Sequence, residues 1–195
     1  VEEIRFLVGQ LHLVIVATGV LHIGETLQPE KTWRSLSAES LERAFRINTV
    51  GPILLAKHLL PLLARNRKSA FAALSARVGS ISDNRLGGWH SYRASKAALN
   101  QLTRIVALEW AKDGIRINSL HPDAVYDTAL WTPELLAARA KSYGLSVDQY
   151  RKKNLLATEV TSGDVAALAA ELCGTLFAKT TAAQIPVDGG NERVV

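Results

Sequence analysis

Apolar positions along this chain follow two periods in turn. Leu11, Leu13, Val14, Ile15 and Val16 form a short, nearly continuous apolar run closed by Thr18-Gly19. Such a run predicts a strand over 11–16, buried on both faces of a parallel sheet. Before it, Ile4, Leu7 and Val8 share one helical face, so residues 1–10 read as the last turns of a helix. After a loop holding Gly24, Pro29 and Trp33, the residues Leu41, Phe45, Asn48, Leu55 and Leu59 recur at helical spacing. Ser37 is placed to cap this helix over about 38–65, and Pro52 and Pro61 should bend or divide it. A second strand is expected over 69–74, then a loop rich in Ser, Gly, Asp and Asn from Ser75 to Gly88. Ala94, Ala97, Ala98, Leu99, Leu102, Ile105 and Leu108 mark a helix over 90–112 that stops at Asp113-Gly114. A third strand over 115–120 ends at His121-Pro122. Residues 127–158 read as a mobile helical insertion, and Thr161 with Asp164 forms a capping box for another helix. A short fourth strand and turn fall in 183–190. Strands alternating with helices predict an α/β chain with a doubly wound parallel sheet, in a single domain over 1–195.

Composition narrows the function classes. Hydrophobic residues make up 48% of 195, enough for a sizeable core, yet no apolar run reaches membrane-spanning length. The opening Val1-Glu2-Glu3-Ile4-Arg5 has no basic segment followed by an apolar one, so no secretory signal is expected. The single cysteine, Cys173, sits among Ala and Leu and is expected to be a small buried apolar residue. With no intrachain disulfide possible, a reducing, cytoplasmic setting is expected. The net charge of +5 raises the question of nucleic acid. The basic clusters at 65–68 and 151–153 are short and fall at helix ends, where cations complement the helix dipole. No zinc, RNP or basic-zipper pattern is present, so neither a nucleic-acid partner nor a bound metal is expected.

The candidate chemistry lies in His90-Ser91-Tyr92-Arg93-Ala94-Ser95-Lys96. On a helix, Tyr92 and Lys96 fall on one face. An ammonium beside a phenol favours the phenolate and lowers the phenol's pKa from about 10. That makes Tyr92 a candidate general acid/base. The same spacing also suits a solvated surface pair.

With the rest of the chain in view, these residues resemble the short-chain dehydrogenase/reductase family. Thr18-Gly19-Val20 stands where that family has its Asn-Asn-Ala-Gly turn. Ile47-Asn48-Thr49-Val50-Gly51 resembles the helix carrying its active-site asparagine, and Leu74-Ser75-Ala76-Arg77-Val78-Gly79-Ser80 its serine strand end. Tyr92 and Lys96 match YxxxK, followed by Ala97-Ala98-Leu99-Asn100. His121-Pro122-Asp123 matches the loop that meets the nicotinamide, and Ile185-Pro186-Val187-Asp188-Gly189-Gly190 the C-terminal strand. Up to about residue 110 the chain is similar to carbonyl-reductase-like members. From about 115 it is similar to the dehydrogenase part of bifunctional aldolase/dehydrogenases. The resemblance implies a Rossmann-like fold and hydride transfer between NAD or NADP and a carbonyl or alcohol substrate. It implies that Tyr92 transfers a proton, Lys96 lowers the Tyr92 pKa and holds the nicotinamide ribose, Ser75 binds the substrate oxygen, and Asn48 holds a water leading to Lys96. Gly19, Tyr92, Lys96, Pro122 and Val125 would be the cofactor-binding residues.

Several residues depart from the family pattern. Ala76 occupies the usual serine position, leaving Ser75 and Ser80 as candidates. Val16-Ala17 replaces the paired asparagines, Asp123 replaces a glycine, and Thr128 is one residue late for the carboxamide contact. The family's opening βαβαβ unit, two units of roughly 30 residues, has no counterpart. With it goes the TGxxxGxG turn that cradles the pyrophosphate at a helix N-terminus. The strand at 11–16 is then expected at a sheet edge, where it invites pairing with another chain, so a homo-oligomer, dimer or tetramer, is expected. Two functions remain open: an oxidoreductase, or a binding or assembly module that lacks turnover because its cofactor turn is missing.

Overall fold

A computed structural model of the chain describes residues 3, 6, 7, 9–65, 67–82, 84 and 87–191. Its centre is a four-stranded parallel sheet in the order β1 (Leu13–Val16), β2 (Ser69–Leu74), β3 (Ile115–Pro122), β4 (Gln184–Val187). Phe71 pairs with both Val14 and Ile117, and Leu120 pairs with both Leu74 and Ile185. This register fixes which side chains share a face. Val14, Val16, Phe71, Ala73, Ile115 and Ile117 point one way, into the main core. There they meet α2 (Gly51–Leu59) and α3 (His90–Trp110), through residues such as Leu59 and Leu99. Leu74, Leu120, Ile185 and Val187 point the other way, against α6 (Ser162–Cys173). Two shorter helices, α4 (Pro133–Ser142) and α5 (Val147–Arg151), form a separate cluster with Tyr126, Leu136, Ala140 and Tyr150 at its heart.

Most predicted elements appear within a few residues of their expected ends. The β2 range is the predicted one, α3 starts at His90, and the Thr161–Asp164 capping box is formed in both directions. Two expectations need correction, and one is refined. The first strand is not buried on both faces: Val14 and Val16 are buried, while Leu13 is 42% and Ile15 46% exposed. The cause is that α6 packs on β2 and β3 and leaves this side of β1 uncovered. The edge position of β1 agrees with expectation. Next, the long helix over 38–65 is divided, in keeping with Pro52 and Pro61. It runs as α1 (Ala38–Phe45), a π-helical turn over Arg46–Val50, α2, and a 3-10 turn over Leu60–Leu62. Pro52 lies in the first turn of α2, where it lacks no needed donor, so the break falls just before it. Finally, Cys173 is only partly buried; its thiol donates to the Ala169 carbonyl at 3.2 Å. Of the N-terminal helical face, Ile4 and Val8 lie outside the described residues.

The uneven cover of β1 has a measurable consequence. Ile117→Ala, at a position with 0% exposure, should lower the unfolding free energy by about 2–5 kcal/mol. Ile15→Ala should change it by about 1 kcal/mol or less. Urea denaturation of both variants checks this; equal losses would mean that β1 is covered on both faces in solution.

Candidate active site

The carboxyl ends of the strands and the start of α3 converge on one cavity of about 490 Å³. Gly19, Ser75, Tyr92, Lys96, Pro122 and Val125 all line it. Ser80 lines neither this cavity nor the neighbouring one; its hydroxyl lies 3.3 Å from that of Ser82. Thr128 also reaches the cavity wall, with its hydroxyl donating to the Val125 carbonyl at 3.0 Å.

Asn48 sits behind the cavity, 0% exposed, inside the π-helical turn. Its Oδ1 accepts the Val20 N–H at 2.7 Å. Its Nδ2 donates to the Val20 carbonyl at 2.9 Å and to the Ser95 hydroxyl at 3.0 Å. Both amide hydrogens are therefore committed, and only a lone pair on Oδ1 is left to meet a water. The Ser95 hydroxyl in turn donates to the Tyr92 carbonyl at 2.9 Å. One carboxamide thus joins the turn after β1 to the first turns of α3.

Lys96 is 2% exposed and donates from Nζ to the Leu74 carbonyl at 3.0 Å. Gly19 makes room for it: a Cβ there would lie 3.1 Å from that ammonium. Gly79 does the same on the backbone side, since a Cβ would come within 2.9 Å of the Lys96 carbonyl carbon and Cβ. Only glycine lets the 3-10 turn over Arg77–Gly79 lie flat on α3. The Lys96 Nζ is 5.9 Å from the centre of the Tyr92 ring.

The expected electrostatics are corrected here. Burial, and secondarily the Asp123 carboxylate, push the Tyr92 phenol up to about 12, the opposite of the lowering expected from Lys96. Desolvation outweighs an ammonium whose hydrogen bond goes to a backbone carbonyl. Burial also brings Lys96 down to about 8. His121 falls to about 4, through burial and the neighbouring Lys96 charge. Its Nε2 lies 2.9 Å from the Ser119 hydroxyl.

Several contacts at this site were not legible in the motifs. The Ser75 hydroxyl donates to Asn100 Oδ1 at 2.6 Å, so its proton already has an acceptor. The Asp123 carboxylate pairs with Arg77 at 3.2 Å and accepts from Asn191 at 2.6 Å. The Thr49 hydroxyl donates to the Ser95 carbonyl at 2.7 Å. At the start of α3, Trp89 holds a left-handed backbone with φ 53° and makes no side-chain cap. Glu30 caps the helix from a distant loop instead. Its carboxylate accepts the Ser91 N–H at 3.2 Å and the Ser91 hydroxyl, and its backbone carbonyl accepts the Trp89 N–H. A carboxylate at a helix N-terminus is favoured by the helix dipole.

A family model described as enoyl-(acyl carrier protein) reductase matches residues 1–192. The chain belongs to the short-chain dehydrogenase/reductase family. A tropinone reductase homolog of Arabidopsis thaliana is 30% identical over 183 residues, covering 93% of this chain and 64% of that protein. The 1-hydroxy-2-glutathionyl-2-methyl-3-butene dehydrogenase of Rhodococcus sp. strain AD45 is 38% identical over 91 residues, or 47% of this chain and 39% of that one. Sorbitol-6-phosphate 2-dehydrogenase SrlD from Erwinia amylovora superposes with a TM-score of 0.80 at 19% identity, over 99% of this chain and 73% of that structure, and shows the shared fold. No helix among the described residues is long and apolar enough to cross a membrane.

The buried ammonium generates a pH-dependent prediction. Lys96 falls from near 10.5 in the unfolded chain to about 8 in the folded one. Between those values the unfolded chain holds the extra proton, so stability from this group rises with pH. Below about 8 the destabilisation is present in full. The stability of the wild type relative to Lys96→Met should therefore improve as pH rises from about 8 to 10.5, measured by urea unfolding at each pH. A difference that stays constant across this range would contradict the buried cation.

Proposed function

We propose that this short-chain family member works in an NAD(P)-dependent carbonyl–alcohol interconversion, with Tyr92 as the proton-transfer group. The observation that carries this is the convergence of Tyr92, Lys96, Ser75 and Gly19 on one cavity beside Pro122. The cavity fits the nicotinamide-ribose end of a dinucleotide. Gly19 leaves open space next to the Lys96 ammonium, and Pro122 and Val125 supply an apolar wall. Gly19, Tyr92, Lys96, Pro122 and Val125 would hold that end. NADH or NADPH, when bound, supplies the hydride that reduces the carbonyl carbon.

The chain's own residues handle the proton. Tyr92, pushed up to about 12, is the neutral phenol at neutral pH and is ready to donate. As the substrate oxygen gains negative charge, the phenolic O–H breaks and the proton passes to that oxygen, giving the alcohol and a phenolate. Lys96, still mostly cationic at neutral pH, then stabilises the phenolate. Oxidation of the alcohol runs the same step in reverse, with the phenolate accepting the proton. Ser75 meets the substrate oxygen through Oγ, and it can donate to that oxygen only by releasing Asn100. Asn48 keeps α3 and the Gly19 turn in register.

A second function, a binding or assembly module without turnover, is favoured by one observation: the half-exposed Leu13 and Ile15 on the edge strand. The two separate readily. NADPH fluorescence should change on addition of the chain if the first holds. No binding at millimolar NADH or NADPH would leave only the second. With binding present, Tyr92→Phe should lower kcat by about 10²–10⁴ while the cofactor Kd stays within about twofold. An equal loss in both would argue that Tyr92 serves binding alone.

A further inference from the structure

A second cavity, of about 570 Å³, opens beside the first and shares its Arg77–Asp123 wall, together with Trp89 and Trp131. Its far side is built from the segment after β3. Trp131, Tyr143 and Tyr150 line it along with Tyr126. These rings form one chain of contacts: Tyr126 to Trp131 at 4.9 Å, Tyr126 to Tyr150 at 5.8 Å, and Tyr143 to Tyr150 at 5.4 Å between centroids. Such a wall takes a flat or apolar body.

The charge of the cavity is one-sided. Arg77, Arg93, Arg139 and Lys153 line it, against a single lining carboxylate, Asp123, among the described residues. That carboxylate already accepts from Arg77 and Asn191. Lys153 is exposed, and its ammonium turns back over the wall, 5.0 Å from the centres of both the Tyr143 and the Tyr150 rings. Neither Lys153 nor Arg139 forms an ion pair among the described residues. The Arg139 charge is close enough to oppose the burial of the Tyr150 phenol.

From the ring wall, the two cations and the shared partition, we infer that this cavity binds the anionic end of the substrate. The ligand class is a carbonyl compound with an aryl or similarly flat body and a carboxylate or phosphate monoester at its far end. The carbonyl lies at Tyr92, the body passes the Arg77–Asp123 wall and stacks on the rings, and the anionic group meets Lys153 and Arg139. The assignment rests on the proposed hydride transfer only for the placement of the carbonyl. The anion preference stands on the cavity itself.

Titration calorimetry on the whole chain tests it with three probes: para-acetylbenzoate, para-acetylphenyl phosphate and the neutral isostere para-acetylbenzamide. At least one of the two anions should bind about tenfold more tightly than the amide, and added salt should shrink the difference. The tighter anion names the group. The exposed pair Lys153→Met and Arg139→Gln, made together and checked for native circular dichroism, should erase the preference and leave the amide's affinity within about twofold. An amide that binds as tightly as both anions overturns the inference, as does a preference that survives the double substitution. NADPH oxidation with the same probes separates the two claims. Reduction of acid and amide at equal efficiency keeps the hydride-transfer function and sinks the anion site. A charge preference in calorimetry with no NADPH oxidation does the reverse.

Discussion

The site hangs on one buried carboxamide. Asn48 is 0% exposed, and a polar side chain at that depth must have partners or carry a desolvation penalty of about 1–3 kcal/mol. Its partners come from two distant segments, the Val20 backbone and the Ser95 hydroxyl. Satisfying one side chain therefore fixes the turn after β1, the π-helical turn and the tyrosine helix relative to one another. The π-helical turn over Arg46–Val50 carries Asn48 in this position, with Thr49 buried beside it. Gly19 and Gly79 then let Lys96 be enclosed from both sides without a clash.

Enclosure has an electrostatic result that spacing alone does not predict. Tyrosine and lysine four apart on a helix suggest a lowered phenol pKa. Here both groups are moved toward their neutral forms, the phenol upward and the ammonium downward, because burial penalises each charge. A site poised this way holds its proton on the tyrosine until negative charge develops nearby. In the proposed proton transfer, that is the donor's starting form. The phenolate gains the help of Lys96 only when it forms, which is when the help accelerates a reaction.

Much of the fold was legible because it is encoded locally. The β2 range follows from a continuous run of small and apolar residues between polar flanks, and α6 from the Thr161–Asp164 box. That Tyr92, Lys96, Ser75 and Gly19 come together on one cavity was legible because their order along the chain resembles a family pattern. What was not legible depends on contacts between segments far apart. Glu30 reads as an ordinary loop acid, and only the fold brings its carboxylate to Ser91. Asn100 reads as one more polar helix position until Ser75 is seen to donate to it. The one-sided burial of β1 is hidden for the same reason: Leu13 and Ile15 look like core residues, and exposure is decided by where α6 lies. The π-helical turn has no compositional mark, since Arg46–Val50 keeps the apolar spacing of the helices on either side.

Asp123 shows how a departure from a family pattern can be absorbed into a site. A carboxylate where the family has glycine should be unwelcome beside an anionic cofactor. The structure answers with Arg77 at 3.2 Å and Asn191 at 2.6 Å, which hold the carboxylate in place and offset its charge. What remains of that charge is still felt at Tyr92, where it adds to burial in keeping the phenol protonated. The same ion pair lines both cavities. The Asp123 carboxylate thus acts twice, favouring the neutral Tyr92 phenol and pairing with Arg77. With the pair closed, the second cavity still holds Arg93, next to Tyr92 in sequence, and Lys153 and Arg139 beside the Tyr143 and Tyr150 rings. In the proposed binding mode the anionic group goes to Lys153 and Arg139, and the carbonyl stays at Tyr92.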